Sequence, residues 1–230
     1  MSERAIPTDP GPPGFRLRLL SCANCGAPLA AEGQDVVYYC TACYSGFRLG
    51  TVGDGGRPGA QGPSAEGLVP VEVSFVSLPH AAAERYLPFW LLPGTVSNLR
   101  TDKGGSSAFQ GLLGLVTGGG APTGGESREI TFAVPAFEAS LEVLTRLGER
   151  YTSAFPELGE RLGEKLTGGR LSPEDAEKLA HFTLIASHVE RPGVLRGLSY
   201  ELSFGPPRLL GVPFVKRGAG LADAVFGIPV

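Results

Sequence analysis

The sequence lacks the features that mark membrane and secreted proteins. No apolar run approaches the ~20 residues that a membrane-spanning helix needs. Residues 1–14 are rich in proline instead of forming the apolar core of a signal peptide. We therefore expect a soluble, cytoplasmic protein that does not act on a membrane.

A strong charge of either sign is also absent. The chain has 20 basic and 23 acidic side chains, a formal net charge of −3, and no long block of like charges. Proteins that bind nucleic acid usually present a basic patch to the phosphates. The charge balance therefore gives no support to a nucleic-acid partner.

Catalytic motifs are missing as well. Histidine occurs three times, at His80, His181 and His188, and none of these residues stands in an H-E-x-x-H pattern. We interpret His181 and His188 as polar residues on the solvated edge of a helix. The chain has no G-x-S-x-G elbow, no phosphate-binding loop and no dinucleotide fingerprint. The sequence identifies no small-molecule substrate, and we expect the protein not to be an enzyme.

Glycine and proline are abundant, with 34 and 20 residues in a chain of 230. Their distribution predicts a flexible tail at 1–14, a Gly/Pro linker at 51–67 and a Gly-rich loop at 101–128. These boundaries separate a small module over 15–50 from a larger domain over 68–230.

Cysteine is scarce, and all four residues fall in one short segment as two C-x-x-C pairs, Cys22 with Cys25 and Cys40 with Cys43. Two residues between cysteines let the backbone form a knuckle that directs both thiolates at one ion, and two knuckles complete a tetrahedral site. Gly26, directly after the first pair, permits the positive φ that a knuckle uses, whereas the second pair has no such glycine. The spacing predicts a four-cysteine metal site in a reducing compartment.

These knuckles, SCANCGAPL over 21–29 and YYCTACYSGF over 38–47, resemble the zinc-ribbon family, which is related in shape to rubredoxins. The resemblance covers residues 16–50. It implies a small β module closed by a structural Zn2+ on the four cysteines. Rubredoxin-like iron is the less favoured alternative, because the second knuckle lacks the proline and glycine of that pattern. A redox dithiol or a site without metal is the remaining alternative.

The larger domain combines strand and helix signals. Alternating apolar residues predict strands over 68–78, 198–204 and 208–215, and Ser172 followed by Pro173 predicts the start of a helix. Hairpins connect the strands more often than β-α-β crossovers do. The predicted fold class is α+β: a small β zinc ribbon followed by a mostly antiparallel sheet packed with two or three helices.

Two apolar features are candidates for contact with a partner protein. The island 109–116 lies between glycine-rich arms, as a tethered docking segment would, or it covers the core of its own domain. Trp90 lies two residues after Pro88 in a predicted strand. It is either an exposed anchor for a partner or a ring that fills the core. The predicted partner-contact residues are Trp90, Phe109, Leu112, Leu113 and Leu115.

The sequence supports three functions, of which the first is favoured. It is a non-enzymatic zinc-ribbon protein that binds another protein as an adaptor, subunit or assembly factor. The second is a nucleic-acid-binding, transcription-related ribbon, and the third is a rubredoxin-like iron carrier of electrons. Contacts to nucleic acid would come from Arg16, Arg18, Arg48, Tyr38, Tyr39, Tyr44 and Phe47.

Overall fold

A computed structural model of the chain describes residues 20–51, 66–77, 83–100, 127–159, 166–186, 199–218 and 220–230. These ranges contain ten strands and two helices, and the strands form two sheets. The predicted α+β class is confirmed. The predicted tail, most of the predicted linker and nearly all of the predicted Gly-rich loop lie outside the described residues.

The smaller sheet has three antiparallel strands in the order β1 (Val37–Tyr39), β2 (Gly46–Thr51) and β3 (Glu66–Val71). β1 and β2 form a hairpin around the second cysteine pair. The single strand predicted over 68–78 is two strands in the structure. β3 pairs with β2, and only β4 (Val73–Val76) enters the larger sheet.

The larger sheet has seven strands in the order β6-β5-β9-β4-β7, with β8 beside β5 and β10 beside β9. All pairs are antiparallel except β4 with β9, as the mostly antiparallel prediction requires. The remaining strands are β5 (Arg85–Arg100), β6 (Arg128–Pro135), β7 (Leu158–Gly159), β8 (Ser199–Phe204), β9 (Arg208–Arg217) and β10 (Gly220–Asp223).

Strand β5 is the centre of this sheet. Its first half pairs with β9, its second half pairs with β8, and β6 runs along its other side. Alternate side chains of a strand point to opposite faces. Trp90 and Leu92 therefore belong to one core cluster and Phe89 and Leu91 to another.

Each core cluster is covered by one helix. α1 (Leu141–Ser153) contributes Leu147 and Tyr151 to the cluster that holds Phe89. α2 (Pro173–Ala186) contributes Ala180 and Leu184 to the cluster that holds Trp90. No helix in the part of the chain that the structure describes has the length and apolar character to cross a membrane.

Both helices begin at a serine cap. The Ser140 hydroxyl accepts a hydrogen bond from the Val143 N–H at 3.4 Å, and the Ser172 hydroxyl accepts one from the Asp175 N–H at 3.2 Å. Such bonds satisfy N–H groups that have no partner within the helix. The predicted helix start at Ser172 is confirmed.

A buried carboxylate organises the turn after β10. Asp223 is fully buried, and its oxygens accept hydrogen bonds from the Tyr151 hydroxyl at 2.9 Å and from three backbone N–H groups at 2.6–3.2 Å. Burial, together with the Asp223 carboxylate, raises the pKa of Tyr151, so its hydroxyl stays protonated and donates. Asp223 therefore joins α1 to the turn. The backbone donors belong to Val225, Phe226 and Ile228.

Replacing Asp223 by Ala should lower the free energy of unfolding by about 3–5 kcal/mol, because each buried donor left without an acceptor costs about 1–3 kcal/mol. Tyr151→Phe is the matched variant. It removes one hydrogen bond and keeps the three backbone bonds, so it should cost about 1–2 kcal/mol. Urea denaturation followed by circular dichroism measures both losses. Equal losses in the two variants would contradict the central role of the carboxylate.

Candidate metal centre

The four cysteine sulfurs converge on one point. All four Sγ atoms lie within 4.8 Å of one another, with 3.5 Å between those of Cys22 and Cys43 and 3.6 Å between those of Cys25 and Cys40. A tetrahedral ion at about 2.3 Å from each sulfur separates the sulfurs by about 3.8 Å. A disulfide would need about 2.05 Å, and all four cysteines are unbridged. The arrangement therefore fits one tetrahedral metal ion.

The two knuckles share one backbone conformation. Gly26 N–H donates to the Cys22 carbonyl at 2.9 Å, and Tyr44 N–H donates to the Cys40 carbonyl at 2.7 Å. The φ angles are +76° at Gly26, as predicted, and +60° at Tyr44. A bulky residue with positive φ is uncommon and costs about 1–3 kcal/mol. The second knuckle thus reaches the required turn without glycine, at the cost of backbone strain.

Polar groups around the sulfurs divide the protons of the metal-free site unequally. The Ser45 hydroxyl, 3.4 Å from Cys43 Sγ, is the main cause that lowers the pKa of Cys43 to about 6. At Cys25 the Ala27 N–H acts to lower the pKa, but the neighbouring thiols together with desolvation outweigh it and raise the pKa to about 12. Cys43 therefore loses its proton more readily than Cys25 does. Metal binding releases thiol protons, since thiolates are the ligands.

The ribbon has a very small core of its own. Its buried residues are Cys22, Leu29, Tyr38, Cys40 and Phe47, and two of these five are cysteines of the site. A core of this size cannot offset the chain entropy that folding removes. Binding energy at the four thiolates supplies what the apolar contacts lack.

Strand β1 belongs to two cores. Tyr38 faces the ribbon core, whereas Val37 and Tyr39 point to the opposite face and join the cluster that contains Trp90. The N–H of Val37 donates to the Gly169 carbonyl at 3.0 Å, and the N–H of Gly169 donates to the Val37 carbonyl at 3.1 Å. The metal site and the larger domain therefore share one strand.

Charged and close contacts add to this junction. Arg170 forms ion pairs with Glu32 of the ribbon and with Glu138, and Arg48 of the ribbon lies 3.6 Å from Glu174. Gly46 of β2 lies directly against β4, so a Cβ there would clash with a methyl carbon of Val73.

Trp90 is a core residue, and its predicted role as an exposed anchor for a partner is wrong. The side chain is fully buried, and the indole N–H donates to the Leu171 carbonyl at 2.8 Å. The physical reason is that β5 is the central strand, so both of its faces are covered. The other predicted contacts, Phe109, Leu112, Leu113 and Leu115, lie outside the described residues and stay predictions.

Most of the predicted contacts to nucleic acid are not available. Tyr38, Tyr39 and Phe47 are buried, and the Arg48 side chain is 15% exposed and paired with Glu174. Tyr44 is exposed. Arg16 and Arg18 lie outside the described residues.

His181, the histidine that the structure describes, is not part of the cysteine group. His181 Nδ1 is 2.9 Å from the Tyr200 hydroxyl, which joins α2 to β8. The residue is half-buried. Among the residues that the structure describes, one group of three or more His, Cys, Asp or Glu side chains is arranged to hold an ion, and it consists of the four cysteines.

Comparison of the chain with protein-family models, with curated proteins and with solved structures found no match.

Removing the bound ion should weaken the larger domain together with the ribbon. Trp90 is the sole tryptophan and lies in the cluster that Val37 and Tyr39 join, so its fluorescence reports on that core. Chelation or Cys40→Ser should lower the free energy of unfolding, measured by Trp90 fluorescence, by about 3–5 kcal/mol. The reason is that burial of Val37 and of Tyr39 contributes about 1.5–3 kcal/mol each. The exposed Thr41→Ser is the matched control. A Trp90 transition unchanged by metal removal would show that the two parts are independent.

Proposed function

We propose that the chain is a non-enzymatic protein in which one structural Zn2+ holds the ribbon and the surface around the knuckles binds another protein. In this role it would act as an adaptor, subunit or assembly factor. Four thiolates fill a tetrahedral shell and leave no position for a substrate or water. That closed shell favours a structural role over a catalytic one.

The observation that carries this proposal is an exposed surface that lacks acidic and basic residues. Residues 20–31 and 40–45, which contain both knuckles, include no Asp, Glu, Lys or Arg. We call their exposed part the knuckle surface. Its exposed residues include Leu20, Ala23, Pro28, Ala42 and Tyr44. A surface with apolar side chains and no Asp, Glu, Lys or Arg matches the centre of a protein–protein interface, from which such residues are depleted.

Tyr44 is the side chain best suited to anchor a partner. It is 38% exposed and occupies the strained positive φ of the second knuckle, where glycine serves in the first. Strain that a fold retains at an exposed position is a pointer to function. Tyrosine is among the residues that contribute most to binding energy at interfaces.

The same surface argues against nucleic acid as the partner. Binding to phosphates depends on Lys and Arg and on the counterions that they release. The knuckle surface offers no such cation. The nearby Arg48 is already paired with Glu174.

Zinc is the metal that we propose for the site. Four sulfurs in a tetrahedral arrangement suit Zn2+ and also iron. Zn2+ has no redox chemistry and is the usual ion of closed structural sites, which agrees with a site whose work is to hold β1 in place.

Native mass spectrometry and elemental analysis of the purified protein should find one Zn2+ per chain. The protein should be colourless, because Zn2+ has a filled d shell. Visible absorption from ferric thiolate, together with stoichiometric iron, would contradict the zinc assignment and favour the electron carrier.

Tyr44→Gly should make the fold more stable and partner binding weaker. Glycine accepts the positive φ, so the free energy of unfolding should rise by about 1 kcal/mol in urea denaturation. Loss of the ring should weaken binding by at least about tenfold, which corresponds to about 1.4 kcal/mol. Binding is measured as partner recovered stoichiometrically from native lysate on the immobilised protein.

Two variants control for this result. Tyr44→Phe keeps the ring and the strain and should bind nearly as the parent does. Leu141→Ala changes a side chain that is 59% exposed at the start of α1, outside the knuckle surface, and should have no effect on binding. A stabilised Tyr44→Gly protein that still recovers the same partner would sink the proposal.

A further inference from the structure

A cavity lies at the junction of the ribbon and the larger domain, apart from the knuckle surface. It has a volume of about 480 Å³ and is bounded by residues 32 and 35 of the ribbon, by the start of β5, by the segment before α1 and by residues 167–170. Small-molecule sites have volumes of about 300–1,000 Å³. We call this space the junction cavity.

One part of the cavity lining is apolar. Leu87 of β5, Phe137, Val143 of α1 and Leu221 of β10 line it together. Leu87 is buried, and the other three are half-buried. A hydrocarbon group in the cavity would lose water contact against these side chains, which favours binding.

The charged side chains of the lining are only partly compensated. Arg170 pairs with both Glu32 and Glu138, so these three groups leave one net negative charge. Arg85 also lines the cavity and forms no ion pair with any residue that the structure describes. The cavity therefore offers a cation on one side chain and excess negative charge on others.

Asp35 is the most deeply placed of these charges. Asp35 is only 8% exposed, and its Oδ2 accepts a hydrogen bond from the Glu32 N–H at 2.7 Å. Within the described ranges, Oδ1 has no hydrogen bond and no basic side chain forms an ion pair with Asp35. A carboxylate oxygen accepts hydrogen bonds, so Oδ1 of this largely buried side chain is free to accept one from a ligand in the cavity.

We propose that the junction cavity binds a small zwitterion of the α-amino-acid class. The ammonium group of the ligand donates to Asp35 Oδ1, its carboxylate pairs with the Arg85 guanidinium, and its apolar side chain rests on the Leu87–Phe137–Val143–Leu221 surface. Charge-assisted hydrogen bonds of this kind are about twice as strong as neutral ones. Because the ligand contacts ribbon and larger domain at once, its binding also stabilises the junction.

Calorimetric titration of the metal-loaded full chain tests this proposal with four probes. L-Leucine and L-phenylalanine carry both charges, whereas leucinamide lacks the carboxylate and N-acetyl-leucine lacks the ammonium. We expect both free amino acids to bind. Each of the two derivatives should bind at least about tenfold more weakly than L-leucine, because each leaves one charged group of the cavity without its partner.

Two substitutions assign the two ends of the ligand. Asp35→Asn keeps an acceptor for the Glu32 N–H. It should weaken the binding of L-leucine at least about tenfold and leave the binding of N-acetyl-leucine unchanged. Arg85→Gln should weaken the binding of L-leucine by a similar factor and leave the binding of leucinamide unchanged. Arg146→Gln, an exposed arginine of α1 outside this cavity, is the matched control and should bind L-leucine as the parent does.

Metal content and the Trp90 unfolding transition of each variant show whether the fold is intact. No heat of binding for either amino acid at millimolar concentration would overturn the proposal. Equal binding of all four probes would overturn the zwitterion assignment, as would intact Asp35→Asn and Arg85→Gln proteins that bind L-leucine like the parent.

Discussion

Convergence of four sulfurs on one point is the constraint on which the ribbon depends. The ribbon core holds five buried residues, two of them cysteines of the site, so apolar contact alone cannot hold it. Cys40 directly follows β1, whose side chains alternate between the ribbon core and the core around Trp90. A metal ion at the thiolates therefore fixes a strand that both parts of the molecule use.

The larger sheet extends the same principle of alternation. The central strand β5 sends Trp90 to one core and Phe89 to the other, and one helix covers each face. Two polar groups buried in these cores have hydrogen-bond partners. The Trp90 indole N–H donates to the Leu171 carbonyl, and Asp223 accepts from four donors. Because both faces of this sheet are covered, binding of other molecules depends on surfaces outside the sheet.

Two such places differ in their chemistry. The knuckle surface has no acidic or basic residue and carries a strained, exposed Tyr44, which suits contact with an apolar protein surface. The junction cavity is rich in charge and holds the buried Asp35, which suits a small ligand with charges of its own. Both lie on or beside the ribbon, so a single metal-held module positions both.

By itself the sequence determined the local features: the four metal ligands, the positive φ at Gly26, the cap at Ser172 and the α+β class. Each is encoded over a few residues, because knuckle spacing, capping and strand alternation follow from the geometry of neighbouring peptide units. Only the tertiary structure decided that Trp90 is buried, that β3 joins the ribbon's sheet, and that Asp35 and Arg85 share one cavity. Those outcomes depend on which distant strands pair and in what register, and that choice is made by the packing of the whole chain.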